Sequence, residues 1–238
     1  MDSAQIITIS FFQFEGISHK WWGFKQMGLA PAWLAAVEGL TFSKMLGSGS
    51  GNGFKVWPNL GVYGLLCVWE NEEVARAAME NHPHFVELKT NSVEQWTVFM
   101  RTVMAHGRWD GINPFEGKAT LADEDPVCVI TRATIKPSKL LQFWQFVPRV
   151  SRSVDQQKGR LFSVGIGELP LIQQATFSLW RSSREMKAYA YQSKHHKEVV
   201  RRTRSLKWYK EELFARFTPY AEEGSWKGRQ LIQELVQK

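Results

Sequence analysis

The stretch 208–228, WYKEELFARFTPYAEEGSWKG, decides how this chain is read, because 94–111, EQWTVFMRTVMAHGRWDG, carries the same landmarks in the same order. Each has a tryptophan (Trp96, Trp208) and then Phe-x-Arg (Phe99 to Arg101, Phe214 to Arg216). Each closes on Gly-x-Trp-x-Gly, GRWDG at 107–111 and GSWKG at 224–228. The likeness extends upstream. An apolar run ending on tryptophan opens each segment, GVYGLLCVW at 61–69 and ATFSLW at 175–180, and a charged helical stretch follows. Histidines come next, His82 and His84 in one copy and His195 and His196 in the other. Matching landmarks offset by about half the chain predict an internal duplication. The reading is an N-terminal half over 1–111, a linker over 112–126 and a C-terminal half over 127–238.

With 238 residues, 44% of them hydrophobic, the chain has ample material for a packed core. No window approaches the ~18 to 20 consecutive apolar residues that a helical membrane span needs, and MDSAQIITIS lacks the basic-then-apolar order of a signal peptide. A cytoplasmic chain is expected, at most peripheral to the inner membrane. Cys67 and Cys128 each lie in an apolar strand-like run with no CxxC partner. They are expected to be buried thiols in a reducing compartment, the sharper alternative being a thiolate ligand to iron. The net charge is +7, and ten of the 30 Lys and Arg lie within 181–210. Zinc-finger spacing, an RNP signature and a basic tail are all missing, so nucleic acid is not an expected partner. Eleven tryptophans suit a large apolar cavity, although packing alone could use them.

Taken in order, 6–12 predicts a strand, 19–37 a helix kinked or divided at Pro31, 40–46 and 61–69 two strands, 72–81 a helix and 95–105 a fourth strand. This strand-helix-strand-strand-helix-strand order is the ferredoxin-like unit. After the Pro-, Gly- and acid-rich segment 112–126 the plan restarts: strands at 127–135, 161–167, 175–180 and 212–220, helices at 138–154 and 184–204. Tandem duplicated ferredoxin-like halves predict an α+β fold. Two antiparallel sheets would lie face to face, giving a dimeric-type α+β barrel within one chain, with a sizeable interior.

The glycine-rich loop GSGSGNGF (47–54) fails as a dinucleotide fingerprint, since Asn52 or Phe54 stands where the last glycine is required, and no P-loop Gly-Lys-Ser/Thr follows. It reads as a hairpin connection or a lid. His82-Pro83-His84 has no carboxylate cluster nearby and reads as a helix-ending surface loop. The second pair separates by helical phase. Met186, Tyr189, Ser193, His196 and Thr203 share the less charged face, whereas His195 points about 100° away, beside Glu198 and Arg202. An inward histidine is commonly a satisfied core residue. Here Arg201, Arg202, Arg204 and Lys207 follow it and Arg216 lies on the next strand, the combination that an anionic prosthetic group such as haem needs: an axial donor, an apolar cavity and cations for its propionates.

Several stretches carry a resemblance: FKQMGLA (24–30), KMLGSGSGNGF (44–54), PNLGVYGLL with VW (58–69), EQWTVF (94–99), TRATIKP (131–137), FSVGIGELP (162–170), TFSLW (176–180), His196-x-Glu198 and WYKEELFARF (208–217). On these the sequence resembles the spheroidene monooxygenases, the bacterial carotenoid 2-oxygenases or ketolases, over nearly its whole length. The resemblance implies oxygenation at the C-2 end of acyclic carotenoids such as spheroidene, with molecular oxygen, a ferredoxin-type electron donor and haem. It also implies kinship with dimeric α+β barrel proteins, several branches of which bind haem through a helical histidine. His196 matches the histidine of the family's H-x-E stretch, and the first-half pair matches nothing in it.

On that basis His196 is expected as the axial ligand of a haem iron. Arg201, Arg204 and Arg216 are expected at the propionates or in support, and Tyr189 and Trp208 as pocket wall. No side chain is assigned as general acid or base. A carotenoid substrate lives in the bilayer, so peripheral contact with anionic lipid is a further expectation. Three other readings stay open: a haem barrel of another reaction type (dehydratase or peroxidase-like), a non-catalytic carrier of haem or an apolar ligand, and a cofactor-free oxygenase.

Overall fold

Residues 6–13, IITISFFQ, are β-branched and aromatic, and almost all are buried on both sides of the strand they form. Ile7, Ile9 and Phe11 enter one apolar core, while Ile6 and Phe12 enter another. This two-sidedness organises the molecule. The computed structural model describes residues 4–50, 57–145, 159–192 and 206–236. Eight strands, β1 (Ile6–Gln13), β2 (Leu40–Gly49), β3 (Pro58–Trp69), β4 (Glu94–Gly107), β5 (Val127–Ile135), β6 (Arg160–Gly167), β7 (Gln173–Trp180) and β8 (Tyr209–Gly224), close into an antiparallel barrel in the order β1-β3-β2-β6-β7-β5-β8-β4. The first half contributes four strands in the order β4-β1-β3-β2, and the second contributes β8-β5-β7-β6. The two sheets join edge to edge. One seam is long, β4 against β8 from Trp96↔Gly224 to Gly107↔Leu213, and the other is the short β2–β6 pairing at Gly47↔Gly167 and Ser48↔Ile166.

The expected sizeable interior is filled. Phe11 lies 5.2 to 6.0 Å from the rings of Phe162, Phe177, Trp96 and Trp226, and Val98, Ile130, Leu179 and Phe217 complete the packing around them. An eight-stranded barrel is just wide enough for side chains to fill, and bulky aromatics on facing strands leave no room for a ring-sized ligand. Tryptophan here serves the core.

Helices cover the outside. α1 (Gly16–Leu34) runs on through Pro31 for another turn, so the proline does not divide it. α2 (Glu72–Asn81) is capped by the Asn71 side chain, which accepts the Val74 N–H at 3.0 Å, and Glu72 and Glu73 complement the helix dipole. The predicted surface loop at His82 is a helix junction. α3 (Pro83–Asn91) begins at once, and both histidine rings lie against Trp33, at 5.8 Å for His82 and 4.9 Å for His84. Residues 137–145 are helical after β5, and α4 (Ser183–Gln192) precedes the last strand. α5 (Gln233–Val236) ends the described chain. The 47–54 segment begins within β2, which pairs with β3; residues 51–56 between the two strands lie outside the described residues.

The two Gly-x-Trp-x-Gly segments take equivalent positions. Gly107 and Gly224 end β4 and β8 with φ of 93° and 76°, and a Cβ on either would collide with a partner-strand carbonyl, that of Glu212 or of Gln95. The next N–H donates to that same carbonyl, Arg108 to Glu212 and Ser225 to Gln95, both at 2.8 Å. Trp109 and Trp226 then fold into the barrel core. A strand-start carboxylate holds each loop: Glu211 accepts the N–H groups of Asp110 and Gly111, and Glu94 those of Lys227 and Gly228. The other landmarks are not equivalent. Trp96 lies within β4 and points into the barrel, whereas Trp208 stands ahead of β8. The β-bulges are equivalent as well, one on β8 at Tyr220, beside Pro219, and one on β4 between Thr102 and Met104, so they do not cause that difference.

Gly107→Ala and Gly224→Ala should each lower stability by more than about 2 kcal/mol, since a side chain meets both positive φ and a carbonyl. The urea unfolding midpoint measures the loss, and a midpoint unchanged in both variants would contradict the seam geometry.

Candidate functional site on the outer face of the C-terminal sheet

The outward residues of the two sheets differ in kind. On the first half they include Phe12, Tyr63, Leu65, Cys67, Trp69 and Phe99, all buried with residues of α1, α2 and α3. On the second half, register places Ser163, Ser178, Val129, Arg216 and Met104 in one row across β6, β7, β5, β8 and β4. Gly165, Thr176, Thr131, Phe214 and His106 form the next. These are mostly small or polar side chains, and Thr131, mid-strand on β5, is exposed. The result is a shelf.

One end of the shelf is closed. α4 starts with an N-cap in which the Ser182 hydroxyl accepts the Glu185 N–H at 3.2 Å and donates to the Glu185 carboxylate at 3.3 Å. Its buried residues Met186 and Tyr189 pack with Val127, Val129 and Trp180, and the Tyr189 ring stacks on Trp180 at 5.3 Å and 27°. Arg216 lies 5.2 Å from the Phe214 ring centroid and donates from Nη2 to the Tyr191 hydroxyl at 3.2 Å. Its buried Nε has no partner among the described residues, and neither has the buried Ser163 Oγ. His106 stands at the shelf's edge, its ring 5.3 Å from that of Phe214.

Tyr189 and Arg216 are therefore brought to one surface. Trp208 is not. It is buried at the far end of β8, 5.9 Å from Phe143 with its Nε1 donating to Gln142 at 3.4 Å, and eight residues of nearly extended chain put roughly 25 Å between it and Arg216. His195, His196, Arg201 and Arg204 lie outside the described residues. The chemistry of the described shelf suits a flat, apolar group with an anionic edge: the side chains over the sheet are mostly small, Phe214 has an aromatic face, and the Arg216 Nε has no partner among the described residues. His106 is not legible in the sequence: alternation from Trp96, Val98 and Met100 would turn it inward, and only the bulge between Thr102 and Met104 turns it outward. Among the described residues no group of three His, Cys, Asp or Glu side chains converges as a metal site. Both cysteines are buried, and burial pushes their thiols well above the ordinary range.

A second polar cluster, unseen in the sequence, seals one barrel end. Arg132 points into the barrel with its side chain 1% exposed and pairs with Glu211, Asp110 (3.4 Å) and Glu168 (3.6 Å). Lys44 bridges Asp110 and Glu168, and Trp109 Nε1 donates to Glu168 at 2.8 Å. Burial raises the pKa of Glu211, but the N–H groups of Gly111 and Asp110 together with Arg132 outweigh it and hold the carboxyl below its usual range. Glu94, bound at the other end by Gly228, Lys227 and Ser225 against a similar burial effect, is lowered likewise. A cleft of about 550 Å³ opens beside Gln5, Phe42, Glu70, Asn71 and Pro114, at a barrel end and away from the shelf.

The closed barrel with helices on its outer face is a fold shared with enzymes. An aldoxime dehydratase solved with butyraldoxime superposes with a TM-score of 0.61 over 98% of this chain and 87% of its own, at 10% identity, a likeness of fold alone. No family model matches. The sequence is 36% identical over 233 residues to the spheroidene monooxygenase of Rhodobacter capsulatus, covering 97% of each chain. It is 35% identical over 233 residues to that of Cereibacter sphaeroides, covering 98% of this chain and 72% of the relative. The chain belongs to the spheroidene monooxygenase family, and so to the oxidoreductases.

Because the folded-state pKa values of Glu94 and Glu211 are depressed, their stabilisation is complete above the ordinary carboxyl value of 4.5 and is lost as pH falls through the lowered values. Wild-type stability should decline with acidification below about 4.5, and Glu94→Gln with Glu211→Gln should flatten that decline in a series of urea titrations. An equally steep decline in the double variant would show that other carboxylates govern acid unfolding.

Proposed function

We propose that this protein is a haem-dependent monooxygenase that introduces oxygen at the C-2 end of an acyclic carotenoid such as spheroidene, with electrons from a ferredoxin-type donor and peripheral membrane contact. The observation that carries the reading is the 36% identity across 97% of the chain to a spheroidene monooxygenase. The shelf supports the cofactor's place, since it supplies what a planar, dicarboxylate group requires and the first-half face is already covered by packed helices. Equal strand orders and paired Gly-x-Trp-x-Gly ends support an origin by tandem duplication of a ferredoxin-like unit.

In this reading Arg216, whose Nε has no partner among the described residues, would hold a propionate, with Arg201 and Arg204 in the same role. Tyr189, stacked on Trp180, would wall one side and exclude water, and His196 would hold the haem iron. Bound haem would provide the strong oxidising chemistry that an unactivated polyene end demands. The chain's own residues orient the cofactor and keep the site dry. Trp208, packed at the far end of β8, serves the fold around Phe143.

Absorption spectra of protein expressed with haem supply test the assignment. His196→Ala should lose or shift the Soret band, while His195→Ala and His106→Ala should keep it. Arg216→Gln should weaken haem binding by roughly tenfold, the value of a charge-assisted contact. Four matching spectra would remove His196 from the iron. Spheroidene recovered unchanged from haem-loaded, reductant-supplied protein would overturn the carotenoid reaction.

A further inference from the structure

Helix α1 is apolar on two faces. At 100° per residue, Gly23, Gln26, Ala30 and Leu34 form the buried side, while Ile17, Trp21, Phe24 and Gly28 line up opposite it in water. Ile17 is 91% exposed, Trp21 57%, Phe24 46%, and the neighbouring Leu29 57%. The Trp21 and Phe24 rings stack at 5.4 Å, a pre-formed aromatic plate. Lys20 flanks the stripe on one shoulder and Lys25 on the other, both exposed, and 16–34 contains no Asp or Glu. The start of β3 runs past this helix, its Gly61 backbone against the Lys20 side chain, and carries Leu60 (48% exposed); Trp57, just ahead of the strand, is 78% exposed. A helix that merely covers a sheet needs one apolar face. A contiguous exposed aromatic patch marks an interaction surface.

We propose that this outer face of α1, with Trp57 and Leu60 beside it, is the surface by which the protein lies on an anionic bilayer. The choice of a bilayer rests on the carotenoid reading, since that substrate dissolves in lipid. The charge pattern suits it independently. Tryptophan and phenylalanine sit at the headgroup level of membranes, and lysines on both shoulders of an apolar stripe reach anionic headgroups while their stems stay with the hydrocarbon. A second copy fits poorly, because a two-fold contact on this face would bring lysines against lysines with no carboxylate on the helix to pair them. The long axis of α1 would lie in the membrane plane, holding the barrel against the lipid from which substrate is drawn.

Flotation with pigment-free vesicles of phosphatidylethanolamine, with and without phosphatidylglycerol, tests this directly. Wild type should float with the anionic vesicles. Trp21→Glu with Phe24→Glu should cut partitioning by roughly a hundredfold, and Lys20→Gln with Lys25→Gln by about tenfold at low salt and much less at high salt. Trp21→Phe with Phe24→Leu should keep most of the binding, and all variants should oxidise detergent-dispersed carotenoid as wild type does while the glutamate pair fails on vesicle-embedded pigment. Undiminished flotation of the glutamate pair overturns the proposal. So does a wild-type dimer that this pair splits without any vesicle binding, or a loss confined to turnover with the electron donor. Flotation as expected with no pigment oxidised anywhere would leave the surface standing and remove the carotenoid reaction instead.

Discussion

The structure depends on the seam between β4 and β8. These two long strands belong to different halves, and their pairing turns two four-stranded sheets into one barrel. Each strand ends where a glycine lies on the other's backbone, so the pairing is bounded at both ends by the same device. Beyond each glycine a tryptophan turns back into the core, so the ends of the barrel are stoppered by the strands that close it. The geometry leaves little freedom: a side chain at Gly107 or Gly224 would push the partner carbonyl away and loosen the tryptophan behind it.

Closure has a consequence for chemistry. With Phe11, Trp96, Phe162, Phe177 and Trp226 in mutual contact, the interior is committed to packing, and a ligand of any size has to be found elsewhere. The outer faces are the available surfaces, and the two halves spend them differently. Three helices bury large side chains on the first. The second carries mostly serines, threonines and a glycine, together with Arg216, whose Nε has no partner among the described residues. Equivalent frames thus carry unequal coverings.

Charge is sorted in the same way. The buried ionic cluster around Arg132 lies at a barrel end, where carboxylates from three segments meet one guanidinium and Lys44. Desolvation of the buried Arg132 offsets much of the attraction in such pairs, so they add little net stability. Here they tie the 107–111 loop, β6 and β8 to β5.

Legible in the sequence were the order of the eight strands, helices α1 and α2, the restart of the plan after 126, the burial of both cysteines and the family, but not α3. Each rests on local pattern: period-two alternation, turn residues and motif identity. It also marked the Gly-x-Trp-x-Gly ends, because glycine at positive φ has no substitute. Tertiary structure alone decided that the barrel is full, that Trp96 and Trp208 are not counterparts, and that Trp208 stands far from Tyr189 and Arg216. It alone brought His106 and Arg216 to one shelf, and gathered Lys44, Asp110, Arg132, Glu168 and Glu211 from five separate stretches. The physical reason is that bulges shift register by one residue and pairing joins strands more than a hundred residues apart, and neither leaves a local signature.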